Sequence, residues 1–470
     1  MRQLKSLHLA MLLLGSLGLN SVAYALPNTL KSMTDSELSA TTGQALMSLS
    51  YIAPTDLANK EALRDGGDKT IGFYKLGLEA EMELNVNIKK LQLGCGGVNG
   101  AGGCDIDIDY LSLSGLGNSA TSNTDSAADR AARAGSSAVL TNPFIEFAIK
   151  NPDKASTRQI VGLNLSAEKA LGLITFGLEN GAGKSGINSL SGYMEIAATT
   201  GLANVNGFGT SQVSGEAARG TLNQSDGYNA ISGEVCSGLG SCTPNNITNI
   251  GFNTQSYALN LRDKATGSNI LKGDLVLGQQ PITGKRITTA NLTATAKVRD
   301  IDLSGNIVAR AAGILDLNKL VSGTIQNLNV DVAISEDLGY FHKANLNGTA
   351  ASLSLQSQNI QWTNNKSISE NGWWLEFTNP IDIGFIQPTF NVDIPKATLN
   401  EAFSQVSNYL TNVQPINCGS AGVLNCLLGD TIPTGTVNLI NATRPQMALT
   451  NLQLATQNFT PNCYGTLKFC

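Results

Sequence analysis

Apolar and polar residues alternate along residues 76–88 of the chain. Leucine, alanine, methionine, valine and isoleucine occupy the even positions, and charged residues, glycine and asparagine occupy the odd ones. A period of two is the pattern of a β-strand with one covered face, so the segment predicts one unusually long strand. Shorter alternating segments predict further strands at 145–149, 161–165, 292–303 and 328–332. We therefore expect a mainly β, elongated protein with long antiparallel strands.

Two cysteines indicate how the first of these strands is paired. If Cys95 faces Cys104, residues whose numbers add up to 199 lie opposite each other. The apolar phase slips between Ile88 and Leu91, and it slips again at the matching place between Ile108 and Leu111 on the returning strand. Two agreeing slips predict a disulfide-clamped hairpin with this register. In that register the following pairs face each other: Leu93 and Ile106, Leu91 and Ile108, Lys90 and Asp109, Ile88 and Leu111, Val86 and Leu113.

Helical spacing is found in a single clear segment, near residues 397–411. Leu399, Phe403, Val406 and Leu410 recur at intervals of three to four residues, which predicts one amphipathic helix that ends before Pro415. A capping box at Thr34–Glu37 predicts a second, short helix that ends at Gly43. Met47, Leu49 and Tyr51 then alternate as a strand.

All eight cysteines fall into close pairs, which predicts four local disulfides. Each would clamp a short loop, and such bonds are typical of proteins outside the reducing cytoplasm. The spacings do not fit a metal site, and no metal is expected. The pairs are Cys95 with Cys104, Cys236 with Cys242, Cys418 with Cys426 and Cys463 with Cys470.

The first 25 residues have the pattern of a cleaved signal peptide. Arg2 and Lys5 precede an apolar run, and Ala23 to Ala25 form a small-x-small cleavage site. We therefore expect export, with the mature chain beginning near Leu26 and located at the cell surface, in a pilus or in the periplasm. Composition divides the remainder into an N-terminal helix-strand segment, a β-rich region, a Gly/Asn/Ser-rich region and a C-terminal β-rich region with the helix, at 26–60, 61–180, 181–260 and 261–470.

Charge and composition exclude several classes of partner. The 470 residues carry a net charge of −5, and charged residues make up only 14% of the chain, so nucleic acid is not an expected partner. The glycine-rich segment 177–185 resembles a phosphate-binding loop, but its spacing is one residue too long. Nucleotide binding is therefore not expected, and neither is any other cofactor.

No catalytic motif is found, so the chain is not expected to be an enzyme. His342 is the only histidine after the signal segment, and a surface or hydrogen-bonded histidine is the simplest interpretation. Asp105, Asp107 and Asp109 share one strand face near the acidic segment 79–83. This acidic region is most simply a solvated face, although a divalent cation remains an alternative. A hydrolase that uses a carboxylate pair also remains open, because such pairs follow no spacing rule.

Three tryptophans stand out in a chain with only 6% aromatic residues. Trp373 shares a strand face with Leu375 and is expected in the core. Trp374 lies on the opposite face and Trp362 lies in a polar stretch. Trp362 and Trp374 are therefore candidates for stacking contacts with a sugar or a partner protein.

Three segments carry a resemblance to a known family. They are Met33 to Gln44, the region from Asn142 to Leu171, and the closing Cys463 to Cys470. Together they resemble the FilA-type pilus-assembly proteins of Gram-negative bacteria. The resemblance implies an exported β-rich protein of the cell surface, linked to pili or fimbriae and to cell adhesion, and it implies no catalytic residue.

The expected function is therefore a structural or assembly role in pilus-like structures, in contact with other surface-assembly proteins. A partner strand would add to the sheet by β-augmentation. The candidate contact residues are Met47, Leu49, Tyr51, Trp362 and Trp374. The alternatives are a periplasmic carrier of an apolar ligand, with sheets wrapped around the 397–411 helix, and the carboxylate hydrolase.

Overall fold

The computed structural model describes residues 47–96, 99–100, 102–116, 127–177, 184–207, 222–236, 242–311, 315–381, 383–386, 391–418 and 431–450. The chain divides into two compact units, Met1–Leu46 and Met47–Cys470. The predicted signal peptide, the predicted helix after Thr34 and the Cys463–Cys470 pair lie outside the described residues. The second unit is mainly β, as predicted.

Twenty-five strands and three α-helices are found in the described residues of the second unit. The first strands are β1 (Met47–Ile52), β2 (Ile71–Leu78), β3 (Glu81–Leu84), β4 (Val86–Leu93), β5 (Ile106–Ser114), β6 (Ala138–Lys150), β7 (Gln159–Thr175), β8 (Ile187–Ile196), β9 (Thr199–Asn206), β10 (Leu222–Asn223), β11 (Ser232–Cys236) and β12 (Ile250–Asp263). The later strands are β13 (Ile270–Leu277), β14 (Gln280–Ile287), β15 (Thr289–Val298), β16 (Ile301–Ala311), β17 (Leu315–Gln326), β18 (Asn329–Asp337), β19 (Lys343–Thr349), β20 (Ala351–Gln356), β21 (Gly372–Ile381), β22 (Asn391–Asp393), β23 (Ile416–Asn417), β24 (Ile432–Asn438) and β25 (Gln446–Thr450). The α-helices are α1 (Lys60–Leu63), α2 (Ala127–Ala134) and α3 (Lys396–Asn412).

The described strands form three sheets. The largest has 12 strands in the order β1-β2-β6-β7-β20-β21-β8-β5-β4, with β3, β14 and β19 joined at its sides. Because β5 also pairs with β7, the strands β7, β20, β21, β8 and β5 close into a ring. The other two sheets follow the orders β23-β11-β12-β16-β17-β24 and β22-β9-β13-β15-β18-β25.

One hydrophobic cluster contains residues of all three sheets and of helix α3. Alternate residues of their strands point into it, including Leu259 of β12 and Val330 of β18. The predicted helix is confirmed, because Leu399, Phe403, Val406 and Leu410 are all buried on one side of α3. The ring of Phe403 packs between Tyr228 and Tyr257, which holds the helix against the sheet.

The predicted hairpin is confirmed, because all five predicted pairs are observed, from Val86 opposite Leu113 to Leu93 opposite Ile106. The phase slip has a local cause, since Tyr110 has a φ of 49° in the left-handed region. Gly94 is required at the turn, because its φ is +65° and an added Cβ would collide with the carboxylate of Asp105.

Two of the predicted disulfides are formed, Cys95–Cys104 and Cys236–Cys242. Cys418 is also disulfide-bonded, and its predicted partner Cys426 lies outside the described residues. These two disulfides join the cysteines that their short sequence separation predicted to be partners.

Two predicted long strands are divided. The alternation over 76–88 was expected to form one strand, but it spans parts of β2, β3 and β4. Asn142 of β6 has a φ of 48°, and its N–H donates to the carbonyl of Ala80. The backbone bends at Ala80, which divides β2 from β3. The segment 292–303 likewise divides at 299–300, where the chain passes from one of the smaller sheets to the other.

Candidate functional site

Strand β1 lies at an edge of the 12-stranded sheet. It pairs antiparallel with β2, and the described residues include no strand on its other side. The predicted strand at Met47, Leu49 and Tyr51 is therefore confirmed, and these side chains are 57%, 75% and 39% exposed. An exposed edge strand presents unpaired backbone N–H and C=O groups to which another strand can add.

Two apolar rows run across six strands of this sheet and reach β1. Each row consists of residues that lie directly opposite one another on neighbouring strands. Side chains at such positions are close enough to form a continuous surface. The first row is Leu49, Leu76, Ile145, Leu165, Leu353 and Leu375, and the second is Tyr51, Tyr74, Phe147, Leu163, Leu355 and Trp373.

This apolar face is partly open to solvent. Leu76, Ile145, Leu165 and Leu355 each expose more than a third of their surface. An exposed apolar patch of this extent usually marks a site of contact with a partner or a ligand. The sequence predicted alternation at 145–149 and 161–165, but it did not reveal that these side chains remain exposed.

A groove of about 680 Å³ lies on the same face. Its open part is lined by Leu76, Ile145 and Leu165. Its deep part is lined by the buried side chains of Ile174, Leu346 and Phe377, on strands β7, β19 and β21. The carrier hypothesis had sheets wrapped around the 397–411 helix, whereas this groove is lined by the 12-stranded sheet and by no residue of α3.

Trp362 and Trp374 were candidates for stacking contacts with a sugar or a partner protein, and their burial argues against this role. They are 0% and 1% exposed. The Trp362 ring packs against Phe73, and its Nε1–H donates to Gln356 Oε1, while Trp374 Nε1–H donates to Ser367 Oγ. Trp362 belongs to the segment 357–371, which packs over the sheet face that carries Phe73 and Trp374, so neither ring is available to a partner.

The covered face contains two buried carboxyl groups. Thr363 Oγ1 donates to Glu146 at 2.7 Å, and the Lys366 N–H and Ser367 Oγ both donate to Glu376 at 2.5 Å. Burial raises the pKa of Glu146 and the pKa of Glu376. Both side chains are engaged in holding the covering segment, which is a structural arrangement rather than an open carboxylate pair.

The carboxylates of the acidic hairpin face are bound by their own neighbours. Lys90 Nζ forms ion pairs with Asp107 and Asp109, and Asn188 donates to both carboxylates. Asp105 is buried and accepts the backbone N–H of Trp373. The acidic residues of β3 are not beside this face, because β3 pairs with β6. Within the described ranges, no group of three His, Cys, Asp or Glu residues is arranged to hold a metal ion.

His342 is half-buried, and its Nδ1 lies 2.9 Å from the carbonyl oxygen of Phe176. Burial lowers the pKa of His342. Most of the glycine-rich segment 177–185 lies outside the described residues. No helix in the described part of the chain is long and apolar enough to span a membrane.

Comparison with protein-family models, with curated proteins and with solved structures gave no match. The two distinguishing features of the site are the open edge at β1 and the apolar groove beside it.

Proposed function

We propose that this chain is an exported, non-enzymatic cell-surface protein that takes part in pilus- or fimbria-like assembly by binding a strand of a partner protein along β1. The observation that carries the proposal is the position of β1 at the edge of a 12-stranded sheet, with apolar side chains exposed. The predicted signal peptide, the local disulfides and the resemblance to FilA-type proteins support the same setting.

The chemistry of the edge defines the partner. An added strand would form backbone hydrogen bonds with β1, each contributing about 1 kcal/mol net. Its alternate side chains would continue the rows that end at Leu49 and Tyr51. The partner segment is therefore an extended strand with apolar residues at every second position on one face.

A substitution at the edge tests the proposal. Leu49→Lys places a charge on the exposed edge, where lysine opposes strand addition. We expect the variant to fold normally and to be lost from sheared filament fractions, as measured by circular dichroism of the purified protein and by immunoblotting. Leu57→Lys is the matched control, because Leu57 is also exposed and lies after β1.

Deletion of residues 47–52 removes the whole edge strand and should have the same effect on assembly. Filaments that contain normal amounts of the Leu49→Lys protein would refute the role of the edge. A wild-type protein confined to the periplasm would refute the assembly role itself.

A further inference from the structure

The groove on the apolar face is chemically unlike the edge strand beside it. Of the 22 residues that line it, only Ser166 and Ser352 have polar side chains, and none is charged. Both hydroxyls are already used, because Ser166 Oγ donates to the carbonyl of Ala351 and Ser352 Oγ donates to Asn365 Oδ1. The lining thus presents a hydrocarbon surface.

This lining selects against a peptide as the occupant. The backbone of the strands beneath the groove is paired within the sheet. A peptide in the groove would lose water from its N–H and C=O groups without gaining partners, at a cost of about 1–3 kcal/mol for each group. A hydrocarbon chain has no hydrogen-bonding groups, so its burial in the groove has no such cost.

The absence of charge among the lining residues also limits the ligand. An ionic head group would find no counter-charge in the groove and would remain in water at its open part, near Leu76 and Leu165. The volume of about 680 Å³ lies within the range of about 300–1,000 Å³ that is typical of small-molecule sites. Met47 and Met82 belong to the lining, and their flexible side chains can adjust to a chain of variable shape.

We propose that this groove binds a single long acyl chain, with the hydrocarbon in the groove and the polar head in solvent. The deep part, at Ile174, Leu346 and Phe377, receives the methyl end. The site goes beyond the edge-strand function and does not depend on it.

The proposal is tested with the purified mature protein and the fluorescent probe N-phenyl-1-naphthylamine. Saturated fatty acids from octanoate to hexadecanoate, kept below their micelle concentrations, compete for the bound probe. Each added methylene should tighten binding about fourfold, which corresponds to ~0.8 kcal/mol, until the chain fills the groove. Competition that is independent of chain length would overturn the proposal.

Leu165→Glu places a charge in the open part of the groove. Leu165 is 41% exposed, so the fold should tolerate the change, and we expect at least about tenfold weaker binding of hexadecanoate. Leu320→Glu is the control, because Leu320 is a similarly exposed strand leucine of β17 in another sheet. Unchanged binding by a folded Leu165→Glu protein would overturn the proposal.

If Leu165→Glu fails to fold, Ala351→Phe provides the second test. Ala351 is half-buried in the lining, and the larger side chain should shorten the longest fatty acid that still gains affinity. An unchanged limit in a folded Ala351→Phe protein would overturn the proposal.

Two further experiments identify the source of the acyl chain and distinguish this site from the edge strand. Palmitate and its lysophosphatidylcholine ester are compared as competitors. Tighter binding of palmitate indicates a free fatty acid as the ligand, and tighter binding of the lysophosphatidylcholine indicates a membrane lipid. If neither competes for the bound probe, the site is refuted. Leu49→Lys should leave the competition unchanged, so the loss of filament assembly and the loss of chain binding can be distinguished.

Discussion

The burial of Trp362 leads to a prediction that separates a core role from a contact role. Trp362 is fully buried, and its ring centroid lies 5.6 Å from that of Phe73. The ring also packs directly on Gly162, where an added Cβ would lie 2.8 Å from it. Truncation to alanine would leave a large cavity between the sheet and the covering segment. We therefore expect Trp362→Ala to lower the free energy of unfolding by about 3–5 kcal/mol.

Trp362→Phe removes less of the packing. The aromatic contact is largely retained, but Gln356 Oε1 loses the indole N–H, whose nitrogen lies 3.3 Å away. An unpaired buried acceptor costs about 1–3 kcal/mol, so this variant should be intermediate. Trp373→Phe is the control, because Trp373 lies on the other, partly open face.

The assay is urea unfolding of the disulfide-intact protein, followed by circular dichroism. The expected order of stability is wild type and Trp373→Phe, then Trp362→Phe, then Trp362→Ala. A Trp362→Ala protein that unfolds within about 1 kcal/mol of wild type but fails to assemble would refute the burial argument and restore the contact role.

Three further predictions concern the core, the hairpin and the buried acid. Phe403→Ala removes the ring between Tyr228 and Tyr257 and should cost about 3–5 kcal/mol in the same assay; an effect below about 1 kcal/mol would contradict the packing of α3. Replacing both Cys95 and Cys104 by serine opens a loop with a sequence separation of 9 and should cost about 2.6 kcal/mol, whereas a serine variant as stable as wild type would contradict this. Burial raises the pKa of Glu376, so between the unfolded and the folded pKa the folded state binds a proton that the unfolded state releases. The free energy of unfolding therefore falls as the pH rises from the unfolded pKa of about 4.3 through the higher folded pKa. Glu376→Gln should therefore flatten this loss of stability in urea unfolding measured as a function of pH, and an unchanged pH profile would show that this carboxyl is not the cause.

The local elements could be predicted from the sequence because their causes are local. The hairpin register follows from two phase slips and a pair of cysteines close together in the chain, and the pairs from Val86–Leu113 to Leu93–Ile106 are all observed. Helix α3 follows from the spacing of four apolar side chains. The edge strand β1 follows from its alternation, although its place at the edge does not.

Tertiary structure decided which face of a strand is covered. The alternation around Trp373 and Trp374 correctly separates two faces, but a period of two contains no information on which face packs inward. Here the polar face is the covered one, because the segment 357–371 folds over it and supplies hydrogen bonds to Glu146 and Glu376. Because the segment 357–371 covers the polar face, the apolar face is left partly open. The groove exists only because strands as distant in sequence as β2 and β21 meet in one sheet.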